Sequence, residues 1–268
     1  MIGSAAQMIS KLDADILLAH LLGISRPELY IYDGGISTQI LERFSDLAEE
    51  RASGKPLQYI IGKTEFMGLE FIVTPDVFIP RPETELLVEK TIGLVRGVKR
   101  PLILDLGTGS GIIAIALTKF ITDCKIMSSD ISQQALFIAR KNARLNLVDE
   151  KIEFIASDLF ENLPKTKFDI IVSNPPYVAS SDINGLQKEI SFEPRIALDG
   201  GGDGLAIYRR LLKKAGQFLI NGGLLILEVG FGQADEVEKL FRENAFKNIQ
   251  FYLDYDSIKR IAVAQWID

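Results

Sequence analysis

A glycine-rich turn after an apolar run is the first part of the sequence that could bind a ligand. The run at 101–106 contains Asp105, and five residues follow it: Gly107, Thr108, Gly109, Ser110 and Gly111. Glycines at a strand-to-helix turn allow positive φ and let the backbone approach a ligand closely. A dinucleotide-binding fingerprint is excluded because it needs a glycine at position 112, where this sequence has Ile112. A P-loop is excluded because no Lys-Ser/Thr pair follows the glycines. The turn predicts a different small-molecule site, although a plain tight turn could have the same glycines.

Two more acidic residues follow two more apolar runs. Asp130 comes after the run at 124–129, and Asp158 follows the run at 151–156. Ligands of open α/β sheets bind beyond the carboxyl ends of the strands, where a carboxylate can accept two hydrogen bonds from a ribose diol. Asp130 alone could instead cap the next helix. With no basic residue predicted beside them, the three acids favour a cationic ligand over a pyrophosphate.

A second candidate site is the turn Asn174-Pro175-Pro176-Tyr177, which follows the run at 168–173. Consecutive prolines fix the backbone, and Pro175 biases Asn174 toward an extended conformation. Such a turn offers an amide oxygen and backbone carbonyls as acceptors, and Tyr177 can pack on a planar group. The tetrapeptide could be an ordinary loop if it stood alone, but it follows a strand predicted to end beside the glycine-rich turn.

The elements that must position these residues alternate between strands and helices. Short apolar runs typical of buried parallel strands occur at 101–106, 124–129, 151–156, 168–173 and 222–229, with helical patterns at 110–120, 132–146, 205–219 and 232–244. Residues 249–267 contain two strands around Asp254–Ser257, which should pair antiparallel. The pattern predicts a doubly wound, Rossmann-like α/β domain closed by a C-terminal antiparallel hairpin.

The sequence before residue 81 has a different character. Residues 5–60 show helical periodicity and predict a small helical domain, whereas Tyr59–Val73 alternates as a short hairpin or linker does. Pro82 begins a helix with acidic residues in its first turn. We therefore predict a helical docking domain at 1–60, a hairpin or linker at 61–80 and the α/β domain at 81–268.

Composition excludes several classes of protein. The 268 residues include 30 Lys and Arg against 36 Asp and Glu, a net charge of −6, with one cysteine, Cys124, and one histidine, His20. No internal disulfide and no Cys/His metal cluster can form, so no metal is expected. The acidic balance argues against strong attraction to nucleic acid. The sequence has no run long enough to cross a membrane and no basic leader, so we expect a cytoplasmic protein. We also expect a monomer.

Together these motifs resemble the S-adenosylmethionine-dependent methyltransferases that act on planar exocyclic or amide nitrogens. Within that group the sequence is similar to the HemK/PrmC family, the peptide chain release factor glutamine N5-methyltransferases. The segments that carry the resemblance are 13–23, 54–62, 78–85, 105–111, 174–177, 193–198 with 203–205, and 228–233. Leu159 is a departure, because some members have an aromatic residue there. The resemblance implies methyl transfer from S-adenosylmethionine, with S-adenosylhomocysteine as product, to the Gly-Gly-Gln glutamine of class I release factors, which supports translation termination.

The resemblance also implies residue roles. Asp105, the turn at Gly107–Gly111 and Asn174 would contact S-adenosylmethionine, Asp130 would bind its ribose, and Asp158 with Leu159 would border the adenine. The substrate glutamine would be bound by Asn174, Pro175, Pro176, Tyr177 and Phe78, of which Asn174, Pro175 and Tyr177 would act in catalysis. The segment Pro80–Glu85 either forms a wall of the site or is simply a packed helix start. Glu193 and Arg195 either shape the entrance or form a surface ion pair.

The sequence leaves two other functions open. The same turn serves methyltransferases of adenine N6 or guanine N2, because those amino groups present the same two N–H donors; the acidic charge and the lack of a basic recognition domain argue against this. A protein that binds S-adenosylmethionine without catalysis is the second alternative, and the intact Asn174 argues against it.

Overall fold

The computed structural model describes residues 8–268, which divide into two compact units. One unit comprises the described residues through Lys63 together with Gln187–Phe192, and the other comprises Thr64–Leu186 and Glu193–Asp268. No motif or periodicity predicted that Gln187–Phe192 groups with the helical part. Residues 1–7, on which the leader prediction and the start of the helical prediction rest, lie outside the described residues.

The first unit is helical, as predicted. Its helices are α1 (Lys11–Leu22), α2 (Arg26–Leu29), α3 (Thr38–Ala52) and α4 (Leu57–Ile61). Ser10 and Ser37 cap α1 and α3 through their hydroxyls, which accept hydrogen bonds from backbone N–H groups that the first turn leaves free. Buried Leu17, Phe44 and Leu47 form a small core. Arg51 of α3 bonds to Asp13 at 2.9 Å and to Glu189 at 2.5 Å, which fixes the segment Gln187–Phe192.

A two-stranded hairpin follows, made of β1 (Lys63–Phe66) and β2 (Leu69–Ile72). The hairpin predicted at Tyr59–Val73 is correct for these strands and wrong for its first residues, which form α4. Tyr59 is buried, and Gly62 ends the helix with a φ of 79°. The alternating apolar pattern did not predict this short helix, because five residues are too few to show helical periodicity.

The second unit is a seven-stranded sheet in the order β5-β4-β3-β6-β7-β9-β8. Its strands are β3 (Leu102–Leu106), β4 (Lys125–Asp130), β5 (Ile152–Ala156), β6 (Phe168–Ser173), β7 (Leu219–Glu228), β8 (Lys247–Leu253) and β9 (Lys259–Gln265). Strands β3 to β7 are parallel, and β9 runs antiparallel to both β7 and β8. The predicted fold class is confirmed, although the sequence did not show that β9 lies between β7 and β8.

Helices cover both faces of this sheet. They are α5 (Pro82–Leu94), α6 (Ile112–Phe120), α7 (Gln133–Leu145), α8 (Ala206–Ala215) and α9 (Ala234–Glu243). Buried side chains of α5, α6 and α7 belong to one apolar cluster, whereas those of α8 and α9 belong to a second. The central strands are therefore covered on two faces, which explains their nearly continuous apolar sequences. None of the helices in residues 8–268 is both long and apolar enough to cross a membrane.

Strand register aligns the residues that follow the central strands. Leu106 pairs with Ser129 on one side and with Ser173 on the other, and Ser173 pairs with Leu227. The next residue of each strand or turn therefore lies at one level of the sheet edge. Those residues are Gly107, Asp130, Asn174 and Glu228.

Candidate active site

The three glycines of the turn after β3 differ in the space around them. All three have positive φ: 72° at Gly107, 55° at Gly109 and 86° at Gly111. A Cβ at Gly107 or Gly109 would meet open space, whereas one at Gly111 would lie 3.1 Å from the Cβ of Ala139. The first two glycines leave room for a ligand against the backbone. Gly111 is instead required by its conformation and by the close packing of α7.

Asp105 lies beneath this turn and is fully buried. Its Oδ2 accepts hydrogen bonds from the Thr108 hydroxyl at 2.6 Å and the Ser128 hydroxyl at 3.4 Å. Its Oδ1 has no hydrogen-bond partner. Burial, with a smaller contribution from the charge of Asp130, raises the pKa of Asp105 to about 7. A cationic group near Oδ1 would both satisfy this oxygen and favour the ionised carboxylate.

Asp130 joins the glycine-rich turn to the end of β4. Its Oδ2 accepts the Gly109 N–H at 2.8 Å, and its Oδ1 accepts the Ser132 N–H at 2.9 Å. The helix cap is Ser132, whose hydroxyl accepts from Ala135, so the alternative cap role predicted for Asp130 is wrong. Burial raises the pKa of Asp130. Each of its oxygens keeps a lone pair that a ligand hydroxyl could use.

The third predicted acid lies in a different environment. Asp158 is two residues beyond β5 and forms an ion pair with Arg210 at 2.8 Å, and both side chains are partly exposed. The prediction that no basic residue lies beside the three acids is therefore wrong for Asp158. Leu159 has a φ of 50° and packs against the apolar cluster that contains Phe160. Its side chain is half-buried, so part of it could contact a flat apolar ligand group.

Unsatisfied polar atoms concentrate at the same sheet edge. Among residues 8–268, three buried side-chain atoms have no hydrogen-bond partner: Asp105 Oδ1, Ser129 Oγ and Gln233 Oε1. Such atoms are rare in folded proteins because each costs free energy unless a ligand or water satisfies it. Asp105 and Ser129 lie on the strands that border the glycine-rich turn, which supports a ligand site there.

The turn at Asn174–Tyr177 is fixed from several directions. The Ser173 hydroxyl donates to the Leu106 carbonyl at 2.6 Å, and the Gln233 side chain donates to the Tyr177 carbonyl at 2.9 Å. Pro175 is buried, whereas Asn174 and Tyr177 are half-buried. Asn174 Nδ2 donates to Thr84 Oγ1 at 3.1 Å. The amide is held by its nitrogen, which leaves its carbonyl oxygen Oδ1 for another donor.

Sequence reasoning missed a role for Glu228, the last residue of β7. This buried carboxylate accepts from the Thr84 hydroxyl at 2.7 Å and from the Tyr177 hydroxyl at 3.4 Å. Burial raises its pKa to about 7, and the nearby charge of Glu83 acts in the same direction, whereas Arg260 acts against it. An acid at a strand end was the signal used for Asp130, and it applies equally to Glu228.

The segment before α5 is held by Glu193. This buried carboxylate accepts the Ile79 N–H at 3.2 Å and forms a short ion pair with Arg81, whose guanidinium lies 4.6 Å from the centre of the Phe78 ring. Arg195 pairs with Asp199 instead, so the alternative of a Glu193–Arg195 surface pair is wrong. Phe78 therefore has a defined position, and Thr84 in the segment Pro80–Glu85 contacts Asn174. A role of this segment as a wall of the site stays a prediction.

We expect Glu193→Gln to lower the free energy of unfolding by about 1 to 2 kcal/mol, because Arg81 would lose its charged partner. Urea unfolding measures this change. Glu153→Gln is the matched control, since Glu153 is exposed on β5. Equal stability of the two variants would show that the Arg81 pair contributes nothing.

No group of three or more His, Cys, Asp or Glu side chains in residues 8–268 is arranged to hold a metal ion.

Two family models match separate parts of this chain. Residues 82–203 match the family model "Methyltransferase small domain", and residues 4–62 match "PrmC N-terminal domain". A methyltransferase structure from Pyrococcus furiosus superposes with a TM-score of 0.57 over 76% of this chain and 91% of its own, at 17% identity. The fold and these family models identify an S-adenosylmethionine-dependent methyltransferase of class I.

Closer relatives identify the family. The release factor glutamine methyltransferase of Burkholderia pseudomallei is 41% identical over 95% of this chain and 92% of its own length. That of Geobacter sulfurreducens is 39% identical over 94% of this chain and 88% of its own length. The chain belongs to the release factor glutamine methyltransferase family.

The residues at the sheet edge fit the methyl donor of this family, S-adenosylmethionine. The donor has a sulfonium and an ammonium group, a ribose diol and an adenine. The unpartnered oxygen of Asp105 suits a cation, the free lone pairs of Asp130 suit a diol, and the open space over Gly107 and Gly109 admits the ligand against the backbone. These assignments remain predictions for the individual residues.

The raised pKa of Asp105 makes a pH dependence expected for donor binding. Below about pH 7 the free carboxyl holds a proton, and a cationic donor favours the form without it. Binding should therefore release a proton and tighten by about tenfold as the pH rises from about 6 to about 8. Calorimetric titration at several pH values measures this change. Asp105→Asn should remove the slope, and a slope that persists in this variant would assign the proton to another group.

Proposed function

We propose that this protein transfers a methyl group from S-adenosylmethionine to the side-chain amide nitrogen N5 of a glutamine in a class I release factor, at the Gly-Gly-Gln motif. The observation that carries the proposal is the position of Asn174, one strand away from the glycine-rich turn and with its amide held by Thr84. The relatives' shared name supplies the release factor and the glutamine.

A carboxamide nitrogen is a poor nucleophile because its lone pair is delocalised into the carbonyl. The bound donor supplies an electrophilic methyl group on a sulfonium. The Asn174 carbonyl oxygen and the Pro175 backbone carbonyl would each accept one N–H of the substrate amide, which aims the nitrogen and stabilises positive charge as it develops. Pro176 keeps the turn rigid, and Tyr177 and Phe78 would pack against the amide plane.

The donor would lie along the glycine-rich turn. Thr108 and Ser110 support that turn from beneath, since both side chains are buried and the Thr108 hydroxyl bonds to Asp105. Asp158 and Leu159 would border the adenine, with Arg210 limiting the charge that Asp158 presents. The protein would act as a monomer in the cytoplasm, where its substrate takes part in translation, and no stable nucleic-acid partner is required.

The experiment incubates the protein with labelled S-adenosylmethionine and, separately, a bacterial class I release factor, total RNA and DNA. Mass spectrometry then locates the methyl group. One methyl on the glutamine of the Gly-Gly-Gln motif is the expected result, and a release factor with that glutamine changed to alanine is the control. Label on nucleic acid alone would instead establish an amino-group methyltransferase, and no label anywhere would indicate a binding protein.

A further inference from the structure

We infer that Thr84 and Glu228 form a positioning pair that fixes the orientation of the Asn174 amide, and this inference rests on the proposed function. Three side chains from three elements meet in one chain of hydrogen bonds: Asn174 after β6, Thr84 in α5 and Glu228 at the end of β7. Thr84 and Glu228 are both buried, with exposed fractions of 0% and 2%.

The direction of each hydrogen bond follows from what each group can donate. An ionised carboxylate only accepts, so the Thr84 hydroxyl must direct its single proton to Glu228 Oε2, 2.7 Å away. The Thr84 oxygen can then only accept from Asn174. The partner at 3.1 Å must therefore be the Asn174 NH₂ group and not its carbonyl.

An asparagine amide can rotate by half a turn with little change of shape, so its orientation has to be set by its partners. With Nδ2 bound to Thr84, Oδ1 is the atom left to accept a substrate N–H. In the reversed orientation, the Asn174 NH₂ group would face the N–H groups of the substrate amide, and no hydrogen bond could form between them. Glu228 thus sets the orientation of the Asn174 amide through Thr84, and neither Glu228 nor Thr84 needs to contact the substrate.

Tyr177 joins the same carboxylate. Its hydroxyl donates to Glu228 Oε1 at 3.4 Å, so both ends of the Asn174–Tyr177 turn are tied to one side chain. Glu228 itself is fixed, because the Tyr208 hydroxyl donates to its backbone carbonyl at 2.9 Å. The pair therefore belongs to a rigid network whose parts support one another.

The test uses Thr84→Val, which keeps the shape of the side chain and removes the hydroxyl. At about pH 8, where Glu228 is ionised, kcat for release factor methylation should fall about tenfold while KM stays within about twofold, because the rest of the release factor still binds. Thr84→Ser should restore most of the activity. Thr91→Val is the matched control: Thr91 is also buried in α5, but its hydroxyl bonds only to the Leu87 carbonyl.

Glu228→Gln tests the second member of the pair. The new amide can donate to Thr84, which frees the hydroxyl to hold Asn174 in the reversed orientation, so kcat should again fall about tenfold. The double variant with Thr84→Val should lose less than the product of the two single losses, because Glu228 acts on Asn174 through Thr84; the contact of Glu228 with Tyr177 accounts for any further loss in the double variant. Wild-type kcat in Thr84→Val, or losses that multiply in the double variant, would overturn the inference.

A measurement without turnover separates this inference from the proposed function. The side-chain NH₂ signals of Asn174, identified by their loss in Asn174→Ala, should exchange slowly with solvent in the wild type and in Thr84→Ser. They should exchange fast in Thr84→Val. Fast exchange in the wild type would overturn the positioning pair. If the wild type fails to methylate a release factor but shows slow exchange, the proposed function is wrong and the pair stands.

Discussion

Asn174→Ala is expected to lower release factor methylation by about 100-fold while leaving the affinity for S-adenosylmethionine within a few-fold of the wild type. The side chain supplies an acceptor that strengthens as positive charge develops on the substrate nitrogen, and losing one such preorganised group typically costs about 10² in rate. Single-turnover methylation and calorimetric titration of the donor measure the two quantities separately.

Asn221→Ala is the matched control for this experiment. Asn221 is exposed in β7, near the opposite end of the strand from Glu228, and its side chain accepts only the Asp268 N–H. It should behave as the wild type. Unchanged turnover in Asn174→Ala would remove this residue from the reaction, and an equal loss in Asn221→Ala would point to a general effect on folding.

Asp130→Ala should weaken the binding of S-adenosylmethionine by about 10- to 100-fold, the range expected when hydrogen bonds to a charged group are lost. Two effects combine here. The ribose loses its acceptor, and Gly109 loses the carboxylate that holds its N–H at 2.8 Å, so the glycine-rich turn becomes less ordered. Calorimetric titration with the donor provides the affinity.

The other aspartate flanking β4 is a suitable control. Asp123 precedes the strand and forms an exposed ion pair with Arg100. Asp123→Ala removes the same side chain from the opposite end of the strand and should bind the donor normally. An Asp130→Ala protein with wild-type affinity would exclude Asp130 from the donor site.

Periodicity and strand-end residues were sufficient to predict most of the fold and part of the site. The five parallel strands were found within a few residues because strands covered on both faces are almost continuously apolar. Asp105, Asp130 and Asn174 were predicted to lie at one edge, and the register between β3, β4 and β6 confirms that position. Their individual roles remain predictions.

What the sequence did not predict depends on contacts between distant residues. A threonine in the first turn of a helix gives no sign that it will meet Asn174, because that contact requires α5 to cross the ends of β6 and β7. The pairing of Glu193 with Arg81, and not with the nearby Arg195, likewise depends on the tertiary path of the chain. Gly111 was predicted as part of a ligand-binding motif, but position 111 requires a glycine because any larger residue would come too close to α7.

The insertion of β9 between β7 and β8 has a consequence for biosynthesis. In a nascent chain that has not yet released Lys259–Gln265, β7 lacks its partner β9 and has an unpaired edge, and β8 cannot join the sheet before β9 does. Unpaired strand edges are where chains associate wrongly. The chain should therefore be most sensitive to aggregation in the interval before β9 joins β7 and β8.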